Sequence, residues 1–196
     1  MKRLVGDLWS YHNAFVVIPI NLEGVCGRGL ARQMVDRFPG VGQTLRRDGQ
    51  RGMLRMSYNG GRALHMYTPE IANPEFRQDQ PYYRIVPFPV KTSWKDQGDL
   101  AMIVKSTQML VELLRLMPEP HDCVVPQVGC GYGELRPEVV IPAIEPILGL
   151  AGDRVIWLEP DPEIFKKYTT SFAPGFRSDR TAVEANRPCP DPEDIV

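Results

Sequence analysis

Ala14 to Ile20, AFVVIPI, is a short apolar run rich in β-branched residues, the pattern of a strand buried on both faces. Glycines follow at positions 24, 27 and 29. Leu30, Met34, Val35 and Phe38 then recur at helical spacing, and Pro39-Gly40 supplies a stop. The stretch predicts a strand, a glycine loop and a helix in succession. Met53 to Tyr58 and Arg62 to Tyr67 flank Asn59-Gly60-Gly61, a turn signal that predicts a hairpin. Tyr83 to Val90 reads as a further strand despite its two prolines, and Pro69 to Pro81 as the loop before it.

Asp99 is placed to cap a helix whose Leu100, Ile103, Val104, Leu110, Leu113 and Leu114 form an apolar stripe ending near Pro118. Cys123 to Val128 predicts another strand. A second glycine run, Gly129-Cys130-Gly131-Tyr132-Gly133, leaves it and leads to a helix around Glu138 to Leu148 and a last strand, Arg154 to Leu158. Alternating strands and helices argue for an α/β sheet covered on both faces. From Glu159 onward the chain carries six prolines and few apolar residues, so an irregular or partly disordered extension is expected there.

The two glycine runs each leave a buried strand and open a helix. In an open sheet such loops share the carboxyl edge of the strands, where ligands bind. Their spacings match no standard phosphate loop. A P-loop requires Lys and then Ser or Thr after its second glycine, whereas Leu30 and Ala31 follow Gly29; a dinucleotide fingerprint requires a small residue where Arg32 stands. Backbone N–H groups beside helix N-termini can still wrap a diphosphate without lysine or metal. One such loop would be read as a tight turn, and two at one edge favour a ligand.

Composition narrows the class. At 196 residues the chain suits one domain with a tail. A net charge of −1 demands neither nucleic acid nor an anionic membrane, although eight arginines against two aspartates between Arg28 and Arg62 form a local excess. That excess suits a phosphate-tracking surface or a solvated helix face. Cys26, Cys123, Cys130 and Cys189 form no CxxC pair and no metal-ligand spacing, and MKRLVGDLW lacks an apolar signal segment. A cytoplasmic protein with no membrane partner, no cofactor and no metal is expected.

At the level of motifs the chain resembles a macrodomain, the ADP-ribose-binding α/β/α fold, over about residues 3 to 158. Gly6-Asp7-Leu8, Asn21 with GVCGRGLA, and VPQVGCGYGEL carry the likeness. YRIVPFPVKTSW, Tyr83 to Trp94, is similar to the strand and loop that hold a catalytic lysine in macrodomains of the DNA ADP-ribosylation antitoxin type, and more distantly in the human terminal ADP-ribose glycohydrolase. The resemblance implies a three-layer α/β/α sandwich with a central mixed sheet, a macrodomain over residues 1–160 and an extension over 161–196. The antitoxins carry a further toxin-binding domain, for which the tail is too short, so a stand-alone monomeric hydrolase is expected.

The resemblance also assigns residues. Asp7 accepts a hydrogen bond from the adenine amino group and Leu8 lines the same pocket; by itself Asp7 reads as a turn or cap residue. Asn21 contacts the distal ribose, which Gly24, Val25, Cys26, Gly27 and Gly29 enclose with part of the diphosphate. Gly129, Cys130, Gly131, Tyr132 and Gly133 form the other wall. Tyr132 either covers the ribose or packs on the loop. Lys91, in FPVK-x-x-W, is the catalytic group, a role that needs its ordinary pKa near 10.4 to be lowered by desolvation. The human enzyme has an aspartate where this chain has Gly133, with Glu134 beside it; the antitoxins have glycine there, so their version of the chemistry is favoured. Cys130 reads as a packed residue, and His12, His65 and His121 receive no role.

Three functions remain open on this reading. The first is an ADP-ribosyl glycohydrolase acting at C1″ of ADP-ribose on DNA or protein. The second is a reader of ADP-ribosylated partners without turnover, and the third an ADP-ribose 1″-phosphatase, which would not need Lys91.

Overall fold

The structure, a computed structural model, describes residues 1–67, 83–117 and 121–162. Five strands, β1 (Lys2–Gly6), β2 (Phe15–Asn21), β3 (Arg84–Lys91), β4 (Cys123–Pro126) and β5 (Val155–Pro160), form one sheet in the order β1-β5-β4-β2-β3. Helices α1 (Gly29–Arg37), α2 (Pro39–Gln50), α3 (Met53–Gly60), α4 (Leu100–Leu116) and α5 (Pro137–Gly149) complete the described architecture.

Successive strand residues face opposite sides of the sheet, so an uninterrupted apolar strand feeds two cores. Along β2, Phe15 and Val17 join Leu110 of α4, Ile144 and Leu148 of α5 and Trp157 in one cluster. Val16, Ile18 and Ile20 join Met34 of α1 and Val41 and Leu45 of α2 in the other. Each fully buried aliphatic side chain contributes roughly 1.5–3 kcal/mol of burial energy. The three-layer α/β/α sandwich is therefore present.

Three sequence expectations are corrected. Among the described residues every strand pair is parallel, and the antiparallel part of the expected mixed sheet is the single bridge from Tyr67 to Ile85. The hairpin around Asn59 is the helix α3. Its Met, Leu and Arg are strong helix formers, and the Gly61 N–H closes the last turn on Ser57 O at 2.7 Å. Pro39 ends α1 and also opens α2 at its first turn, where a missing N–H costs nothing. Strand β1 was not expected, because its side chains are exposed and show no alternation; it is held by backbone pairing to β5.

The prolines of β3 are explained by its place at the edge. Arg84 N–H bonds Ala14 O, just before β2, whereas Ile85 O accepts from Tyr67 N–H on the outer side. Residues 85, 87 and 89 therefore turn their backbone outwards, and Pro87 and Pro89 interrupt no ladder bond. Ser106 of α4 donates its hydroxyl to the outward Pro89 O at 2.7 Å. The predicted loop from Pro69 to Pro81 and the extension beyond residue 162 lie outside the described residues.

Candidate functional site

Because all strands run parallel, the residues that follow them gather at one edge. From β2 the chain passes through α1, α2 and α3 to β3 on one side, and from β4 it passes through α5 to β5 on the other. Neighbouring strands that send the chain in opposite directions define a topological switch point, the usual seat of a ligand in such sheets. Here β2 and β4 also part early. Their pairing is confined to Phe15 with Cys123 and Val16 with Val124. Phe15 N–H donates to Asp122 O at 2.8 Å, so residues 15, 17 and 19 turn towards β4, and Pro19 lacks its N–H where the two strands have separated. The two glycine loops leave from either side of this gap.

The first loop is fixed from within. Asn21, 5% exposed, donates its amide Nδ2 to Val25 O at 2.7 Å and accepts the N–H groups of Glu23 and Val25 at Oδ1, each at 3.1 Å. It is a staple for the loop. Gly24 has φ +71°, and a Cβ there would lie 2.1 Å from Leu45 O of α2, so only glycine lets the loop rest on that helix. Cys26 is buried, which leaves its backbone rather than its thiol to meet a ligand.

The second loop is equally constrained. A Cβ on Gly133 would stand 2.4 Å from Gly129 O, whereas one on Gly131 meets nothing within 4 Å. Cys130 donates its thiol to Val128 O at 3.4 Å, and burial pushes its pKa up to about 11 with help from Glu138, which suits a packed residue and not a nucleophile. Tyr132 joins the two loops. Its ring lies 3.1 Å from the position of a Cβ on Gly29, and the Arg28 guanidinium sits 5.6 Å from the ring centre. These contacts pack Tyr132 on the first loop.

Lys91 ends β3 beside this junction. Its Nζ donates to Trp94 O at 3.2 Å, Asp96 O at 2.9 Å and Tyr132 O at 3.0 Å. Three carbonyls match the three protons of an ammonium. Burial nevertheless lowers its pKa from 10.5, outweighing the opposite pull of Glu134 and Asp96. Glu134, at φ 60°, is thus electrostatically part of the lysine's surroundings. Asp7 follows β1 and accepts Trp9 N–H at 3.1 Å as the cap of a short 3-10 turn, the role its sequence position suggests. Leu8 is buried in the core beneath it. Strands β5 and β4 separate β1 from β2, so Asp7 and Asn21 stand three strand positions apart along the edge.

Sequence reasoning overlooked the links between loops. Glu23 Oε2 accepts Ser93 Oγ–H at 2.9 Å and Trp94 N–H at 3.3 Å. Leu22 N–H is shared between Lys91 O and Thr92 O. Gly98 N–H donates to Gly133 O at 2.8 Å. The lysine loop is therefore tied to both glycine loops. The available signal was the carboxylate of Glu23 two residues after Asn21, but its partner lies 70 residues further on.

The architecture matches solved macrodomains. The macrodomain of Mycobacterium tuberculosis DarG superposes with a TM-score of 0.65 at 23% identity, covering 81% of this chain and 98% of that one. That of Thermus aquaticus DarG gives 0.64 at 23% identity, over 82% and 97%. The chain has the macrodomain fold. Thermosipho africanus DarTG, solved in complex with ADP-ribose, superposes on this chain with a TM-score of 0.61 at 20% identity, over 83% of this chain and 42% of that one. In sequence, the chain is 27% identical over 132 residues to a DNA ADP-ribosyl glycohydrolase of Mycobacterium tuberculosis and to its Mycobacterium bovis counterpart. The match takes in 66% of this chain and 33% of each relative's length. No family model matches the chain. An open depression of about 550 Å³ lined by Arg62, Lys105, Met109, Arg115 and Ile147 shares no residue with the glycine loops; the two glycine loops and Lys91, joined at the switch point, make the sheet edge the stronger candidate.

Proposed function

We propose that this macrodomain binds ADP-ribose at the switch point and hydrolyses its C1″ linkage to a modified target. In this reading the adenine lies towards Asp7 and Leu8. The loop from Gly24 to Gly29 (Val25, Cys26 and Gly27 through their backbone) and the loop from Gly129 to Gly133 hold the diphosphate and distal ribose. Asn21 shapes the first of these loops for the ribose. Lys91, released from one of its carbonyls, acts at C1″. The observation that carries the proposal is the position of Lys91: half-buried, with a lowered pKa, and bonded to the second glycine loop.

ADP-ribosylated DNA is the target we propose, supported by the name of the curated relatives and by the fold shared with the DarG macrodomains. The deciding experiment incubates the protein with ADP-ribosylated oligonucleotide and with ADP-ribosylated Glu, Asp and Arg protein conjugates and measures free ADP-ribose. Release from the oligonucleotide, lost in Lys91→Ala, supports the proposal. Release from protein alone replaces the target. A second reading, a reader without turnover, is favoured by the full occupation of Lys91 Nζ by carbonyls. Binding of ADP-ribose with no release from any conjugate selects it.

A further inference from the structure

Glu23 belongs to the first glycine loop, yet its carboxylate is spent on the lysine loop. Oε2 accepts Ser93 Oγ–H at 2.9 Å and Trp94 N–H at 3.3 Å. The carbonyl of that same Trp94 is one of the three acceptors of Lys91 Nζ, at 3.2 Å. Beside it, Leu22 N–H reaches Lys91 O and Thr92 O at 3.2 and 3.1 Å. A two-residue segment of the first loop thus sets the course of the chain from Lys91 to Trp94. We infer that Glu23 is a positioning residue: it holds the Ser93–Trp94 turn so that Lys91 Nζ is kept at the junction of the two glycine loops.

Glu134 and Asp96 are the carboxylates that pull the Lys91 titration upwards. Glu23 bonds Ser93 and Trp94 instead, so it acts through the turn. The two sides of the arrangement are far apart in sequence and tied by a charge-assisted pair of bonds, the kind that holds geometry best.

This inference rests on the proposed role of Lys91, and the test separates the two. Glu23→Gln keeps the shape and one acceptor oxygen but loses the charge. Ser93→Ala removes the hydroxyl from the opposite loop and leaves the first glycine loop untouched. On the proposal, each lowers kcat for release of ADP-ribose while KM and the Kd for ADP-ribose stay within about threefold, the pattern of a lost transition-state arrangement. The effects in the double variant should be less than multiplicative, because both substitutions act on the Glu23–Ser93 bond. Titration of Lys91 by NMR, with the side-chain amine labelled, supplies a readout that needs no turnover: its midpoint should move in both variants. Unchanged kcat in both variants, multiplying effects in the double variant, or an unmoved Lys91 midpoint would each overturn the inference. A wild-type protein that releases no ADP-ribose while its Lys91 midpoint still responds to Glu23→Gln retains the positioning role and sinks only the hydrolase.

Discussion

Gly131 and Gly133 stand two residues apart in one loop, yet a side chain has very different consequences at each. Gly133→Ala drives a methyl group against Gly129 O, a backbone atom that no rotamer change can move away. We expect it to lose about 1–3 kcal/mol of stability, the usual cost of overpacking, measured by urea denaturation. Gly131→Ala enters open space and should stay within about 0.5 kcal/mol of the parent. Gly131→Glu should therefore fold, and its added charge and bulk should weaken ADP-ribose binding, read by calorimetry. Lys91 supplies a pH signature. Its folded pKa lies below 10.5 because burial disfavours the ammonium, so the unprotonated fraction grows at a lower pH than for an exposed lysine. If that form reacts, kcat should rise with pH through a midpoint below 10.5 and level off above it. A rate that falls over that range assigns the work to the ammonium.

Helix α4 begins where the lysine turn ends, and one residue serves both. Asp99 Oδ1 accepts Met102 N–H at 3.1 Å as the N-cap, while Asp99 N–H donates to Val90 O at 2.8 Å. Asp99→Ala should cost about 1 kcal/mol through the lost cap, read as a lower denaturation midpoint with the slope unchanged. Asp99→Asn should recover most of it, since asparagine caps nearly as well. The cap was legible because capping is a short-range matter of one carboxylate and the N–H groups just after it. The helix α3 was not. Gly60-Gly61 is a fair hairpin turn and an equally fair helix stop, and a window around Asn59 carries no information on which neighbour Tyr58 packs against. In the structure Tyr58 lies in the core with Leu110 and Leu113 of α4, and that packing favours the helix.

At the scale of the whole molecule the testable property is linkage between ligand and fold. ADP-ribose at a hundredfold excess over Kd should stabilise the protein by about 2.7 kcal/mol, or about 5–10 °C in Tm for a chain of this size. AMP, which lacks the distal ribose, should do much less. Equal shifts would show that the loop from Gly24 to Gly29 is no ribose site. Residue patterns over short distances were enough to determine β2, β3, β4 and β5, the helices α1, α4 and α5, and the fact that both glycine runs leave strands. They reflect burial periodicity and capping, which are local. The parallel pairing of every strand, the early parting of β2 from β4 and the course of the lysine loop were settled by contacts between distant segments. Tyr132 O reaches Lys91 Nζ across 41 residues of sequence and Ser93 Oγ reaches Glu23 across 70. No local preference encodes such pairs: backbone carbonyls are the same in every residue, and which of them meets a given lysine depends on how the strands are stacked.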